Sequence, residues 1–256
     1  MNKLKLNIWI VVLINCVFFL PESFAQGPPI NTETPILLGL EGGGFRTFGK
    51  IVSTDLGTTY TQPLAIPYNL GINFQIGIIQ PFISIYPKIG DNNSGFGNLS
   101  LFAKQMLFQF DSKAKTFRGL LKYTQIFPTG ASSVSSDIYS SQFMFVAGFV
   151  NLNYSLNGSV GYTFVSKNLS DNFVFDFAFG YPLLPQKYPP FQLNLYLELN
   201  GQKTLNANKS LLFFSPGIQL ITSSTFLLES SFQIPLVDDS GIVNNTFSFG
   251  IRYLVF

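Results

Sequence analysis

Residues 172 to 181 place Phe173, Phe175, Phe177, Phe179 and Tyr181 on one side of an extended chain, and Asn172, Asp176, Ala178 and Gly180 on the other. Successive side chains of a strand point to opposite faces, so these residues form a ladder of five aromatics backed by small and polar groups. The same alternation sets Leu193, Leu195, Leu197 and Leu199 against Asn194, Tyr196 and Glu198. It sets Phe117, Leu121, Tyr123 and Phe127 against Arg118, Lys122 and Thr124, and Phe247, Phe249, Ile251, Tyr253 and Val255 against Ser248, Gly250 and Arg252. Segments of roughly ten alternating residues, separated by turn residues, are the mark of a transmembrane barrel.

Charge narrows the choice. Only 11% of the residues are Asp, Glu, Lys or Arg, against about 25% in an ordinary soluble domain. Past residue 25 no apolar run is long enough to cross a bilayer as a helix, and in hydrocarbon only helices and closed barrels satisfy every backbone group. A half-buried soluble sandwich shares the alternation; the low charge, the Phe-rich faces and a final aromatic residue favour the barrel. The expected fold is therefore an all-β, transmembrane, antiparallel up-and-down β-barrel of about twelve strands. These run at about 51 to 60, 67 to 79, 80 to 88, 97 to 109, 116 to 127, 142 to 153, 158 to 166, 172 to 181, 191 to 199, 210 to 221, 225 to 235 and 246 to 256. Gln80-Pro81 reads as a periplasmic corner.

The first 25 residues read as a signal peptide: Lys3 and Lys5, an apolar stretch from Ile8 to Leu20, Pro21, and Ser23-Phe24-Ala25 as a small-x-small cleavage site. Residues 26 to 50, rich in Gly and Pro, are expected as a flexible periplasmic lead, with a small plug as the alternative, and the barrel is expected over 51 to 256. The terminal Tyr253 and Phe256 suit a signal read by the barrel assembly machinery, and the outer membrane is the expected location.

The chain has no His, and its one Cys and one Trp, Cys16 and Trp9, fall in the leading segment. Nucleophilic chemistry of the Ser-His-Asp or Cys-His kind lacks its imidazole, and a transition-metal centre would have to rest on carboxylates. We expect no enzyme, no cofactor and no metal. The formal charge of +2, near +1 once Lys3, Lys5 and Glu22 are left out, carries no basic stripe for nucleic acid. Glu41-Gly42-Gly43-Gly44-Phe45 lacks the Lys and Ser/Thr of a phosphate loop, and Asp238-Asp239-Ser240-Gly241 offers too few oxygens for Ca²⁺, so both read as turns or lead.

If the aromatic faces meet lipid, Arg118, Lys122, Asp176, Glu198, Gln219, Glu229, Gln233 and Arg252 line the lumen. In a narrow barrel such groups either flank an aqueous path or pair across it and close it.

Gly95-Phe96-Gly97-Asn98-Leu99-Ser100-Leu101, followed by Phe127-Pro128-Thr129-Gly130, resembles the GxGD...PTG arrangement of the outer-membrane barrel family named for the meta-pathway of phenol degradation. Leu197 to Gly201, Ser215 to Gln219 and Phe232 to Leu236 are similar to that family's closing strands. Where the pattern has Asp, this chain has Asn98. The resemblance implies a barrel that passes small, often hydrophobic, compounds across the outer membrane. A channel or transporter for such solutes is the expected function, with lipid, the assembly machinery and an unidentified small solute as partners. A structural or adhesive barrel working through the Ser-rich segment 131 to 141 is the alternative.

Overall fold

The structure, a computed structural model, describes residues 27 to 37, 42 to 167, 169 to 184, 191 to 207 and 209 to 255. The expected signal peptide and Phe256 lie outside the described residues.

The described residues form thirteen strands: β1 (Gly43–Thr54), β2 (Gly57–Asn69), β3 (Phe74–Pro87), β4 (Asn93–Phe96), β5 (Leu99–Ser112), β6 (Lys115–Phe127), β7 (Ser140–Asn151), β8 (Ser155–Val165), β9 (Asn172–Pro182), β10 (Gln192–Thr204), β11 (Lys209–Ile221), β12 (Phe226–Asp238) and β13 (Val243–Val255). Each long strand pairs antiparallel with its neighbours, and β1 pairs with β13 from Gly43↔Val255 to Thr54↔Val243, which closes the sheet. The four-residue β4 pairs alongside β3 in line with β5 and continues its row, so twelve strands make the wall. Closure leaves no sheet edge, the condition for a sheet to stand in lipid.

Alternation sorts the side chains as the aromatic ladders predict. Phe173, Phe175, Phe177 and Tyr181 are exposed on the outer face, whereas Ala178, Tyr196 and Glu198 are buried inside. The inner face is uneven. Small polar groups such as Ser155, Asn157, Ser159, Ser215, Ser231 and Ser248 line β8 and β11 to β13. An apolar cluster of Met106, Leu120, Met144 and Val146 covers β5 to β7.

Three expectations for the first part of the chain are corrected. The barrel begins at Gly43 rather than 51, so 43 to 50 belong to the wall. Gln80-Pro81 is no corner: β3 runs through it, with Pro63 directly opposite Pro81 on β2. Proline has no N–H to give to a ladder, and the wall accommodates this locally, with Gly97 N–H donating to the Pro81 carbonyl at 2.8 Å and Gln80 Nε2 to the Gly97 carbonyl at 2.9 Å. Finally, the expected flexible lead is not free of the barrel over residues 27 to 37. That segment lies inside the bore, held by the contacts described next.

Candidate functional site: a threaded lumen

Four successive carbonyls of the N-terminal segment are taken by side chains of the wall. The Tyr196 hydroxyl donates to Gly27 O, Gln219 Nε2 to Pro28 O at 2.8 Å, Arg252 to Pro29 O at 2.5 Å and Arg46 to Ile30 O. The next donors turn the other way. The backbone N–H groups of Ile30 (2.8 Å), Asn31 (3.0 Å) and Thr32 (2.7 Å), with the Thr32 hydroxyl (2.8 Å), all donate to the Glu198 carboxylate. Consecutive N–H groups converging on one anion make a concave nest that offsets the charge with dipoles instead of a cation. This is why Glu198 sits only 1% exposed without an ion pair among the described residues.

The segment reaches across the bore. Asn31 Nδ2 donates to Ser231 Oγ on β12 at 3.0 Å, while two residues on Glu33 pairs with Lys104 on β5 at 2.9 Å and with Lys122 on β6. In a ring of twelve, β6 and β12 stand opposite each other. Thr34 donates to Asn157 on β8 at 3.3 Å, and Leu37 joins the apolar cluster of β5 to β7.

Small wall residues leave the room. A Cβ on Gly148 would lie 2.9 Å from the Pro35 ring, and one on Gly217 would lie 2.6 Å from Ile30 Cδ1. Serine and glycine on the inner face of β7, β8 and β11 to β13 thus shape a groove for the segment.

Of the residues proposed from sequence to line the lumen, Lys122, Glu198, Gln219 and Arg252 touch the segment directly, and Glu229 does so through the two arginines it holds. Arg46 Nε lies 2.7 Å from one Glu229 oxygen and an Arg252 guanidinium nitrogen 2.9 Å from the other. Asp176 accepts from Ser159 at 2.8 Å and Asn200 at 3.0 Å, and Gln233 donates to Ser215 at 3.2 Å. Arg118 stands apart from the rest: it bonds Thr116 at 2.9 Å and Asp111 at 3.4 Å in the β5–β6 hairpin. Tyr253 faces outward and stacks on Phe45, with ring centroids 5.6 Å apart.

Glu33, Arg46 and Lys104 are further members of the site that the strand assignments passed over. Glu33 and Arg46 fell in the expected lead. Lys104 was legible as an inward residue of a strand read at 97 to 109, two positions from Phe102 on the same face, and Phe102 lies 5.6 Å from both the Lys104 and Lys122 ammonium groups.

Asp238 ends β12 and braces the turn that follows. Its carboxylate accepts from the N–H groups of Ser240, Ile242 and Val243 at 2.8 to 2.9 Å. Among the described residues no group of three or more His, Cys, Asp or Glu could hold a metal ion.

The two halves of the GxGN and PTG pattern meet in space. Asn98 Oδ1 accepts from Gly130 N–H at 3.0 Å, Asn98 Nδ2 donates to the Ser136 carbonyl at 2.9 Å, and Leu99 N–H donates to Thr129 Oγ1 at 3.0 Å. Asn98 therefore pins the β6–β7 loop to the start of β5.

No protein-family model matches the chain, and no curated protein matches its sequence. Among solved structures it is similar to an outer membrane channel from Pseudomonas putida F1, with a TM-score of 0.70 at 12% identity over 90% of this chain and 100% of that one. It is also similar to the KdgM porin, solved in complex with disordered oligogalacturonate, with a TM-score of 0.52 at 11% identity over 82% of this chain and 99% of that one. The chain thus has the fold of the outer-membrane β-barrels.

Proposed function

We propose that the protein is an outer-membrane channel for small apolar solutes, held closed by residues 27 to 37. The observation that carries this reading is the segment itself: its carbonyls and N–H groups are bonded to wall side chains from strands on opposite sides of the bore, so passage requires it to shift. A channel role agrees with the fold, and an apolar solute agrees with the cluster on β5 to β7 and with the resemblance to the phenol meta-pathway barrels. Both chain ends then face the periplasm, and Tyr253 and Phe256 serve as the assembly signal.

The adhesive reading draws less support. The loop at 128 to 139 spends its groups within the chain, on Asn98 and on the Phe96 carbonyl, which accepts from Ala131 at 2.8 Å.

Current across a planar bilayer tests the proposal. The intact protein should pass little current, and a variant lacking residues 27 to 37 should conduct steadily; proteoliposomes of that variant should admit small apolar solutes faster than sugars of equal size. A folded deletion variant that neither conducts nor admits solutes would overturn the reading.

A further inference from the structure

Lys104 and Lys122 are register partners on β5 and β6, directly opposite each other on the inner face. Like charges so placed repel, and the carboxylate of Glu33 is the anion that holds them together. A second pair repeats the arrangement: Arg46 and Arg252 are register partners on β1 and β13, joined by Glu229. The two differ in one respect. Glu229 belongs to the wall, whereas Glu33 is carried by the segment that must move.

The lysine clamp opens onto a cavity of about 360 Å³ toward the end of the barrel where β1 begins. Its lining is mainly apolar, with Leu37, Ile79, Phe102 and Leu227 among its walls. Among the described residues four cations, the two lysines and the two arginines, border it against a single carboxylate, Glu33. Even with Glu229 counted behind the arginines, positive charge is in excess. The volume sits at the small end of the roughly 300 to 1,000 Å³ range of ligand sites, which suits a ring-sized body over a long chain.

We propose that this cavity binds a compact apolar monocarboxylate, whose carboxylate takes the place of Glu33 between Lys104 and Lys122 and so frees the N-terminal segment. The proposal rests on the channel reading for its consequence, though not for the binding itself. Glu33 is then an internal stand-in for the ligand. The apolar body fills the space beside Phe102, and the segment loses its tie to β5 and β6 when the exchange occurs.

Calorimetric titration of the full protein in uncharged detergent tests the site, with para-butylbenzoate as probe and para-butylbenzyl alcohol as its neutral counterpart. The acid should bind and the alcohol should not. Glu33→Gln, which removes the internal competitor, should tighten binding of the acid about tenfold, the scale of one charge-assisted hydrogen bond. The double variant Lys104→Met, Lys122→Met should lose it, with folding checked by heat-modified gel mobility. Equal binding of acid and alcohol, or unchanged affinity in Glu33→Gln, would overturn the proposal even if the double variant fails to fold. Because binding is read without current, its failure leaves the channel reading standing, and intact binding in a protein that never conducts strikes only the channel reading.

Discussion

Arg46 and Arg252 face each other across the β1–β13 seam and share the two oxygens of Glu229, at 2.7 and 2.9 Å. The seam is where the barrel closes, and the same two guanidinium groups also hold the carbonyls of Ile30 and Pro29. One wall carboxylate therefore supports both closure of the sheet and seating of the segment.

Glu229→Ala should be severe. It leaves two like charges facing each other with the bridging anion gone, and removing one member of a buried charge pair costs about 3 to 5 kcal/mol. Urea unfolding in detergent should show the loss. Glu229→Gln, which keeps an acceptor, should fall between it and the parent.

Glu198→Ala should act on the segment more than on the barrel. The carboxylate is the common acceptor of three N–H groups and a hydroxyl from Ile30 to Thr32, and those N–H groups have no other wall acceptor among the described residues. Losing a charged acceptor costs about 3 kcal/mol, so residues 27 to 37 should become cleavable by added protease while the barrel keeps its unfolding midpoint. A segment as resistant as in the parent would remove Glu198 from its place as the anchor.

Gly148→Val tests the groove. The new Cβ would press on the Pro35 ring at 2.9 Å and on Asn157 Oδ1 at 2.6 Å, and neither a proline ring nor a residue bonded to Thr34 gives way readily. The nearest atoms are side-chain atoms and none is backbone of the wall, so the variant should fold, expose the segment to protease and raise the bilayer current. Unchanged current would mean that the segment at Pro35 does not limit passage.

Much of the wall could be read from the chain because lipid enforces alternation residue by residue. Phe173 to Tyr181 declares its outer face without help from any other strand. The first strands were harder for a physical reason: β1 carries Gly43, Gly44 and Gly49, and Pro63, Pro67 and Pro81 punctuate β2 and β3, so the local signals of turn and strand coincide. The fitting of Pro63 against Pro81 is visible only once the register is known. The seated segment was the least legible part. Residues 27 to 37 have few large apolar side chains, and many of their partners lie more than 100 residues away, at Asn157, Glu198, Gln219, Ser231 and Arg252. What could have pointed to it is the wall: inward Glu198, Glu229 and Arg252 beside many Ser and Gly residues describe charges in need of partners and a bore with room for a chain.

Asn98→Asp, which changes only one end of the amide, should weaken this protein. Asn98 uses both ends of its amide: Oδ1 accepts from Gly130 N–H at 3.0 Å and Nδ2 donates to the Ser136 carbonyl at 2.9 Å. An ionised carboxylate keeps the first bond and cannot make the second, since it is acceptor-only, and it would set two acceptors face to face. The site is partly exposed, so water moderates the loss, and a cost of about 1 kcal/mol is expected. Hydrogen exchange should place it locally, with faster exchange of amides in the 128 to 139 loop and none in β10 or β12. Asn98→Ala, which also gives up the Gly130 bond, should loosen the loop further; an Asp variant that exchanges as slowly as the parent would show that the bond to Ser136 does not hold the loop.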